Sequence, residues 1–290
     1  KEWNFMLHLK KRVALVGCSN GRDQHDKPTV NALCAELEKM GLEAVVSPVL
    51  YCAAGGVTQL PQERAAALMH AFRDDSISAI LDVSGGDSAN AVLPFLDFQA
   101  IRAHAKPFFG YSDLSVLLNP LRQCADVPVW YFQPRFLCSS AVARASFSAA
   151  IFGEPPQVPE FPVSFLHGDS LTGTLTGGNI RCTLKLMGTP WQPDFAGKVL
   201  FLESCSGGLK RIETMLHQYQ QAGAFRQCSG VLLGNFSELE QKHFMPLLYG
   251  LVCTIVNDPS LPIACTTAIG HQEDSLCLPY HLPVALSRKD

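Results

Sequence analysis

The stretch "KPFFGYSDLSVLLNPL", residues 106–121, reads as a strand that breaks sharply into a helix. Phe108 and Phe109 are apolar and β-prone. Gly110 frees the backbone for a turn, and Leu114, Leu117, Leu118 and Leu121 recur at helical spacing. Ser112 and Asp113 occupy the junction. Two roles are open to Ser112. Its hydroxyl can cap the helix by accepting from the N–H of Leu114 or Ser115, with Asp113 favoured by the helix dipole. The other role is a nucleophile held up at a turn, which needs a base such as His and an acid that orients the base. "GYSDL" lacks the second glycine of the G-x-S-x-G elbow, so local physics favours the cap.

The same strand-to-helix rhythm extends outward. Residues 13–17, 42–47, 77–83 and 128–132 read as strands, and residues 28–40, 60–73 and 98–104 as helices. This β-α-β-α order predicts an α/β fold, a Rossmann-like, mostly parallel sheet with helices on both faces. Sites in such sheets lie beyond the carboxyl ends of strands, where "SGGDS" and "GYSD" both fall. At residues 152–162, "FGEPPQVPEFP" packs four prolines into eleven residues and reads as an extended connection. Beyond it the pattern turns to short strands and glycine turns, with helices predicted over 208–221 and 238–256. The predicted organisation is a nucleophile domain over 1–152, a linker over 153–168, and a C-terminal domain of short strands and a few helices over 169–290.

Composition narrows the function classes. The 290 residues are 47% hydrophobic and 17% charged with a formal net charge of −3, and "LKKR" at residues 9–12 is the longest basic run. That balance argues against a nucleic-acid partner. Apolar runs such as "KVLFLE" are strand-sized and far short of a bilayer span, so no membrane association is expected. The N-terminal "KEWNFMLHLKKRVALVG" does not show the order of a signal peptide. Eleven scattered cysteines without a CxxC pair read as free thiols of a reducing compartment.

Several segments offer chemistry. "GCSNGRD", residues 17–23, lacks both the GxGxxG spacing and the P-loop Lys. In "SGGDSAN", residues 84–90, paired glycines let backbone N–H groups face a cleft, as an oxyanion requires, although a plain turn is the simpler reading. None of the nine histidines forms HExxH or HxH, and no carboxylates show EF-hand spacing, so a mechanism without metal or cofactor is expected. "KVLFLESCSGG" ends an apolar strand with Glu203, a carboxylate that is costly unless paired or turned to solvent. "TTAIGHQEDS" places His271 in a polar turn, where an ordinary exposed loop histidine is the alternative. His217 and His281 are weaker candidates.

Together these segments resemble the serine peptidases that include the LD-carboxypeptidases (muramoyltetrapeptide carboxypeptidases) and the microcin immunity peptidases. The likeness runs from "RVALVG" to "LPVAL", in the family order. It is carried by "ERAAALMHAFRDDSISAILDVSGG", "LPFLDFQAIRAHAKPFFGYSD", "GGNIRCTLKLMGTPWQPDFAGKVLFLE", "RIETMLHQ" and "IGHQEDSLCLP". The resemblance implies Ser112 as nucleophile, His271 as general base and Glu203 as its orienting acid. The implied oxyanion donors are the backbone N–H of Asp113 and of Gly85 or Gly86. Two departures stand out. The glycine turn is "SGGDS" rather than Arg-Gly-Gly-Tyr-Gly, and Gly207 stands where the microcin-immunity branch carries a Lys four residues after the acid.

The resemblance thus implies a serine carboxypeptidase that cleaves an L,D-peptide bond and releases a C-terminal D-amino acid. D-Ala from murein tetrapeptide, in cytoplasmic cell-wall recycling, is the expected case, and a homodimer is the expected assembly. The alternatives are an immunity-type peptidase acting on peptidyl or aminoacyl nucleotides, to whose pocket Trp191 and the "SGGDS" turn would belong, a core position being the simpler reading of Trp191, and a non-catalytic ligand-binding homologue. Arg22, Arg135 and Arg181 are the basic candidates for reading the substrate carboxylate.

Overall fold

The computed structural model describes residues 12–288, so the N-terminal stretch read above and all but Arg12 of the run at 9–12 lie outside it. The first half alternates as the spacing predicts. Its elements are β1 (Arg12–Val16), α1 (Lys27–Lys39), β2 (Glu43–Val46), α2 (Pro61–Arg73), β3 (Ile77–Asp82), α3 (Phe98–Ala103), β4 (Phe108–Gly110), α4 (Ser115–Ala125), β5 (Val129–Tyr131) and α5 (Ala141–Phe152). The second half continues with β6 (Ser164–His167), β7 (Ser170–Gly173), β8 (Leu175–Asn179), α6 (Ile180–Leu184), β9 (Val199–Ser204), α7 (Gly208–Gln221) and α8 (Ala224–Gln227). It closes with β10 (Gly230–Phe236), α9 (Ser237–Gln241), α10 (Met245–Val256), β11 (Ile263–Cys265), β12 (Leu278–Pro279) and β13 (Val284–Ser287).

The first sheet has strand order β12-β5-β4-β3-β1-β2, parallel throughout except for β12. Its central strands are apolar on both faces because both are covered. In β1, Val13 and Leu15 join one core cluster with Leu33 and Phe147, while Ala14 and Val16 join another with Leu68 and Phe108. The edge strand β2 is only half-buried and carries the exposed Glu43, a charge that discourages further pairing. The second sheet has order β6-β11-β10-β9-β8 and is itself mostly parallel, with only β6 reversed. In β9, Phe201 packs toward the first half, in one cluster with Leu118 and Tyr280. Leu200 and Leu202 pack under α7 with Ile212 and Leu216.

Three expectations change. The predicted linker ends early: Ser164–His167 is a strand that pairs antiparallel with β11, because beyond Pro162 nothing stops the backbone from laddering. The helix predicted over 238–256 is two helices, with His243 at φ 58 between them. Pro246 explains the break, since it removes a backbone donor and clashes with the carbonyl four residues earlier. Finally, β12, placed by its position in the C-terminal domain, pairs with β5 and completes the first sheet. Among the described residues no helix is long and apolar enough to cross a membrane.

Candidate active site

The site forms where β4 runs into α4. Gly110 makes this turn by closeness rather than by sign of φ, because a Cβ on it would lie 2.9 Å from that of Leu114. The left-handed residue is Ser112, at φ 55. A non-glycine residue held there is strained by about 1–2 kcal/mol and has to be fixed by its surroundings. The fixing groups are clear: the Ser112 N–H donates to the Tyr131 hydroxyl at 3.0 Å, and the Ser115 hydroxyl donates to the Ser112 carbonyl at 2.6 Å. The helix-cap reading of Ser112 is not realised. Capping residues hold extended backbone, and neither the short turn at Ser112–Leu114 nor α4 receives a side-chain cap. The half-buried Ser112 hydroxyl is left for other work.

Glu203, on the last turn of pleat in β9, is fully buried and fully paired. Its Oε2 accepts from His271 Nδ1 at 2.6 Å, and its Oε1 accepts from the Tyr131 hydroxyl at 2.5 Å and from Asn179 Nδ2 at 2.9 Å. The solvent-facing alternative for this carboxylate is therefore excluded, as is an exposed loop position for His271, whose side chain is 10% accessible. With Nδ1 donating to the acid, the other ring nitrogen is the one left to accept a proton. Burial, and next the charge of Glu203, hold the Tyr131 phenol well above its ordinary range. It stays protonated, donates to the acid and accepts from the backbone of Ser112. Tyr131 thus joins the serine turn to the acid through a single oxygen. Among the described residues no hydrogen bond joins Ser112 Oγ to His271. The imidazole packs instead against the ring of the preceding residue, Tyr111, with centroids 4.7 Å apart.

The glycine turn after β3 is held from beneath by the side chain of Asn20, whose Oδ1 accepts from the N–H groups of Asp87 and Ser88 at 3.0 and 3.1 Å. Gly86 has φ 130, and a Cβ there would strike Asn20 at 2.3 Å, so only glycine fits. Gly85 faces open space. Ser84 is buried and donates to Asp82, and so is structural. Asp113 is fully buried, and its carboxylate accepts from Ser19 Oγ at 2.6 Å and from Ala89 N at 2.9 Å and pairs with Lys185. Lys185 Nζ also donates to the Asp87 carbonyl at 2.8 Å. One lysine from the end of α6 therefore holds both chain segments in which the resemblance places the oxyanion donors.

The remaining candidates are sorted by the same contacts. Arg181 is ion-paired with Asp87. Trp191 is partly buried against the main core cluster. His217 lies on the exposed face of α7 beside Gln220, and His281 packs edge-on against Trp130. All eleven cysteines are free thiols. Among the described residues one set, the exposed Asp23 and His25 with the half-buried Asp26, brings ligand-type atoms within 4.8 Å of one another. Asp26 already pairs with Arg22 at 2.8 Å, so the set offers little to a metal. Sequence reasoning missed Tyr131, Asn179, Lys185 and Arg64. The last donates from within the protein to the carbonyls of Cys18 and Ser19 at 2.6 and 2.7 Å and so braces the loop after β1. The one local signal was a tyrosine inside a strand that is otherwise apolar.

Residues 13–132 match the family described as LD-carboxypeptidase N-terminal domain, and residues 172–286 its C-terminal domain. The fold and these matches define a serine-type hydrolase. The chain belongs to the LD-carboxypeptidase family. It is 29% identical over 208 residues to the probable murein peptide carboxypeptidase of Bacillus subtilis, covering 69% of this chain and 65% of that protein's length. It is 26% identical over 240 residues to the murein tetrapeptide carboxypeptidase of Pseudomonas aeruginosa, covering 76% and 75%. A structure of MccF in complex with glutamyl sulfamoyl guanosine superimposes with a TM-score of 0.83 over 97% of each chain at 16% identity, a likeness of fold.

Proposed function

We propose that the protein is a serine carboxypeptidase that cleaves an L,D-peptide bond, with murein tetrapeptide as substrate and D-Ala as the released residue. The observation that carries this reading is the His271–Glu203 pair at 2.6 Å, built beside a serine held at φ 55 at a strand end and tied to the same acid through Tyr131. In this mechanism the Ser112 hydroxyl attacks the scissile carbonyl as His271 takes its proton through the free ring nitrogen. Glu203 fixes the imidazole tautomer and stabilises the imidazolium. The N–H groups of Asp113 and the Gly85–Gly86 turn stabilise the charge that develops on the carbonyl oxygen, with no reorganisation at the moment of reaction. His271 then protonates the departing amine, and water, deprotonated by the same residue, releases the acid and restores Ser112. Two relatives are named as a probable murein peptide carboxypeptidase and a murein tetrapeptide carboxypeptidase, which supports this substrate class.

The MccF complex favours one competing substrate, an aminoacyl nucleotide. The resemblance places a Lys near the acid in that branch. Here the position is Gly207, whose N–H donates to Glu238 Oε2 at 2.6 Å, so no cation is offered. Purified protein incubated with the tetrapeptide, its all-L isomer and an aminoacyl sulfamoyl nucleotide, with products read by mass, separates the readings. Release of D-Ala from the tetrapeptide alone, lost on Ser112→Ala, is expected. Cleavage confined to the nucleotide, or none in any arm, sinks the peptidase reading.

A further inference from the structure

A terminal carboxylate has to be recognised by something, and two loops at the carboxyl edge of the first sheet supply buried donor groups without acceptors. Arg22 follows β1, while Gln133 and Arg135 follow β5. In the strand order these loops flank β4 and its Ser112 turn. Among the described residues, Arg22 Nε, Arg135 Nε and Gln133 Nε2 are buried without a hydrogen-bond partner. Gln133 is 1% exposed, and its other side-chain atom, Oε1, is occupied by the N–H of Arg135 at 3.1 Å. Its amide thus presents a donor with nothing to receive it. A buried donor left unmatched costs free energy that a bound acceptor would restore.

The charge balance points the same way. Burial, and after it the nearby charge of Arg135, hold the Arg22 guanidinium below its ordinary range. Asp26 pairs with Arg22 at 2.8 Å, and among the described residues no carboxylate pairs with Arg135. Asp26 and, more weakly, Asp23 act on Arg22, so the guanidinium without a paired carboxylate among the described residues is that of Arg135. A planar carboxylate suits a guanidinium fork.

Position decides which carboxylate. His271 returns its proton to the departing nitrogen, and the terminal carboxylate is attached to the carbon next to that nitrogen. It must therefore lie on the imidazole's side of the scissile bond. Tyr111 marks that side: its ring lies 4.7 Å from the imidazole and 6.0 Å from the ring of Phe136, the residue after Arg135. Arg181, the other basic candidate, is already paired with Asp87.

We propose that Arg22, Arg135 and Gln133 form an anion subsite that receives the terminal carboxylate of the departing residue, a proposal that rests on the carboxypeptidase reading above. It restricts the enzyme to the last residue of a peptide, because an amide or a further residue at that point leaves the arginines unmatched.

The test uses the Ser112→Ala protein and calorimetric binding of the tetrapeptide and of its C-terminal amide, each measured with and without Arg135→Gln. Turnover of both peptides is measured in parallel on the Ser112 enzyme. The free acid should bind about ten- to a hundredfold more tightly than the amide, a preference that Arg135→Gln removes. Arg135→Lys, which keeps the charge without the fork, should recover part of it. A preference that survives both Arg135→Gln and Arg22→Gln overturns the subsite. Equal weakening of acid and amide also overturns it, since the arginine then reads another group. Release of D-Ala with an acid-to-amide ratio untouched by Arg135→Gln overturns the subsite and leaves the peptidase standing. Acid-selective binding through Arg135 without any D-Ala release overturns the peptidase and leaves the subsite standing. Failure of both peptides to bind overturns both.

Discussion

Tyr131 is the residue on which the most geometry converges. Its hydroxyl holds the Ser112 N–H at 3.0 Å and donates to Glu203 Oε1 at 2.5 Å. The left-handed backbone of Ser112 and the orientation of Glu203 therefore share a support. Tyr131→Phe removes it while keeping the ring that packs edge-on against Phe201 at 5.2 Å. The N–H of Ser112 then loses its acceptor, and Glu203 keeps only Asn179 and His271. Stability should fall by about 1–3 kcal/mol in urea unfolding, and kcat should fall roughly tenfold or more with KM little changed, the pattern of an interaction that matters mainly in the transition state. An unchanged kcat would mean that the hydroxyl serves folding alone. The sequence marked Ser112, Glu203 and His271, but each had a plain alternative, and only the family resemblance grouped them. Tyr131 carried only the faint mark of a tyrosine in an apolar strand, because its partner Glu203 lies 72 residues away, and hydrogen bonds at that separation leave no local pattern.

At the scale of elements, the close meeting of α4 with β8 sets the serine turn. Strand β8 is the free edge of the second sheet, and α4 covers it with two side chains one helical turn apart. Asn119 exchanges hydrogen bonds with Gly177 at 2.8 and 2.9 Å, and Ser115 Oγ accepts from the N–H of Asn179 at 2.9 Å. Such an approach requires glycine. At Gly178, φ is +128 and a Cβ would lie 2.4 Å from Ser115 Oγ, the same oxygen that donates to the carbonyl of Ser112. Gly178→Ala should therefore cost about 2–4 kcal/mol through strain and overpacking, and lower turnover as well. Gly188→Ala is the control. It has φ +74 but nothing within 4 Å of the added carbon, so it should cost about 1–2 kcal/mol. Equal losses in thermal or urea unfolding would show that the α4–β8 approach imposes no constraint. Elements of this kind were legible where the signal is local. The spacing of Leu209, Ile212, Met215, Leu216 and Tyr219 predicts a helix over 208–221; the last four are the buried residues of α7, and Leu209 in its first turn is only partly buried. Strand β6 was not legible, and neither was the partner of β12. One follows a proline-rich run, the other is two residues long, and both exist because a distant strand offers its edge.

Across the whole molecule, the two halves are bound by crossings that chain order does not announce. Lys185 reaches from α6 to the carboxylate of Asp113, and β12 returns from the C-terminal segment to complete the first sheet. His281 lies two residues beyond β12 and secures that return. Its ring meets Trp130 edge-on at 4.4 Å, and its Nδ1 donates to the carbonyl of Val129 at 3.3 Å. Its Nε2 is buried without a partner among the described residues. Burial holds its pKa down from 6.5 to about 4, opposed by the hydrogen bond to the Val129 carbonyl and by Asp126 and aided by the charge of Arg122. In the unfolded chain the imidazole takes up a proton near its ordinary pKa, while the folded protein resists until about pH 4. Between those values the unfolded state binds more protons, so stability rises with pH. The contribution is fully present above about pH 6.5, is lost as pH falls toward 4, and changes no further below that. Its full size is about 3 kcal/mol. Urea unfolding of the wild type and of His281→Asn at pH 7, 6, 5 and 4.5 isolates it. Their difference in stability should shrink steadily with falling pH, since the variant has no proton to gain at this position. A difference that stays constant across the series would mean that protonation of His281 does not loosen the junction between β12 and β5.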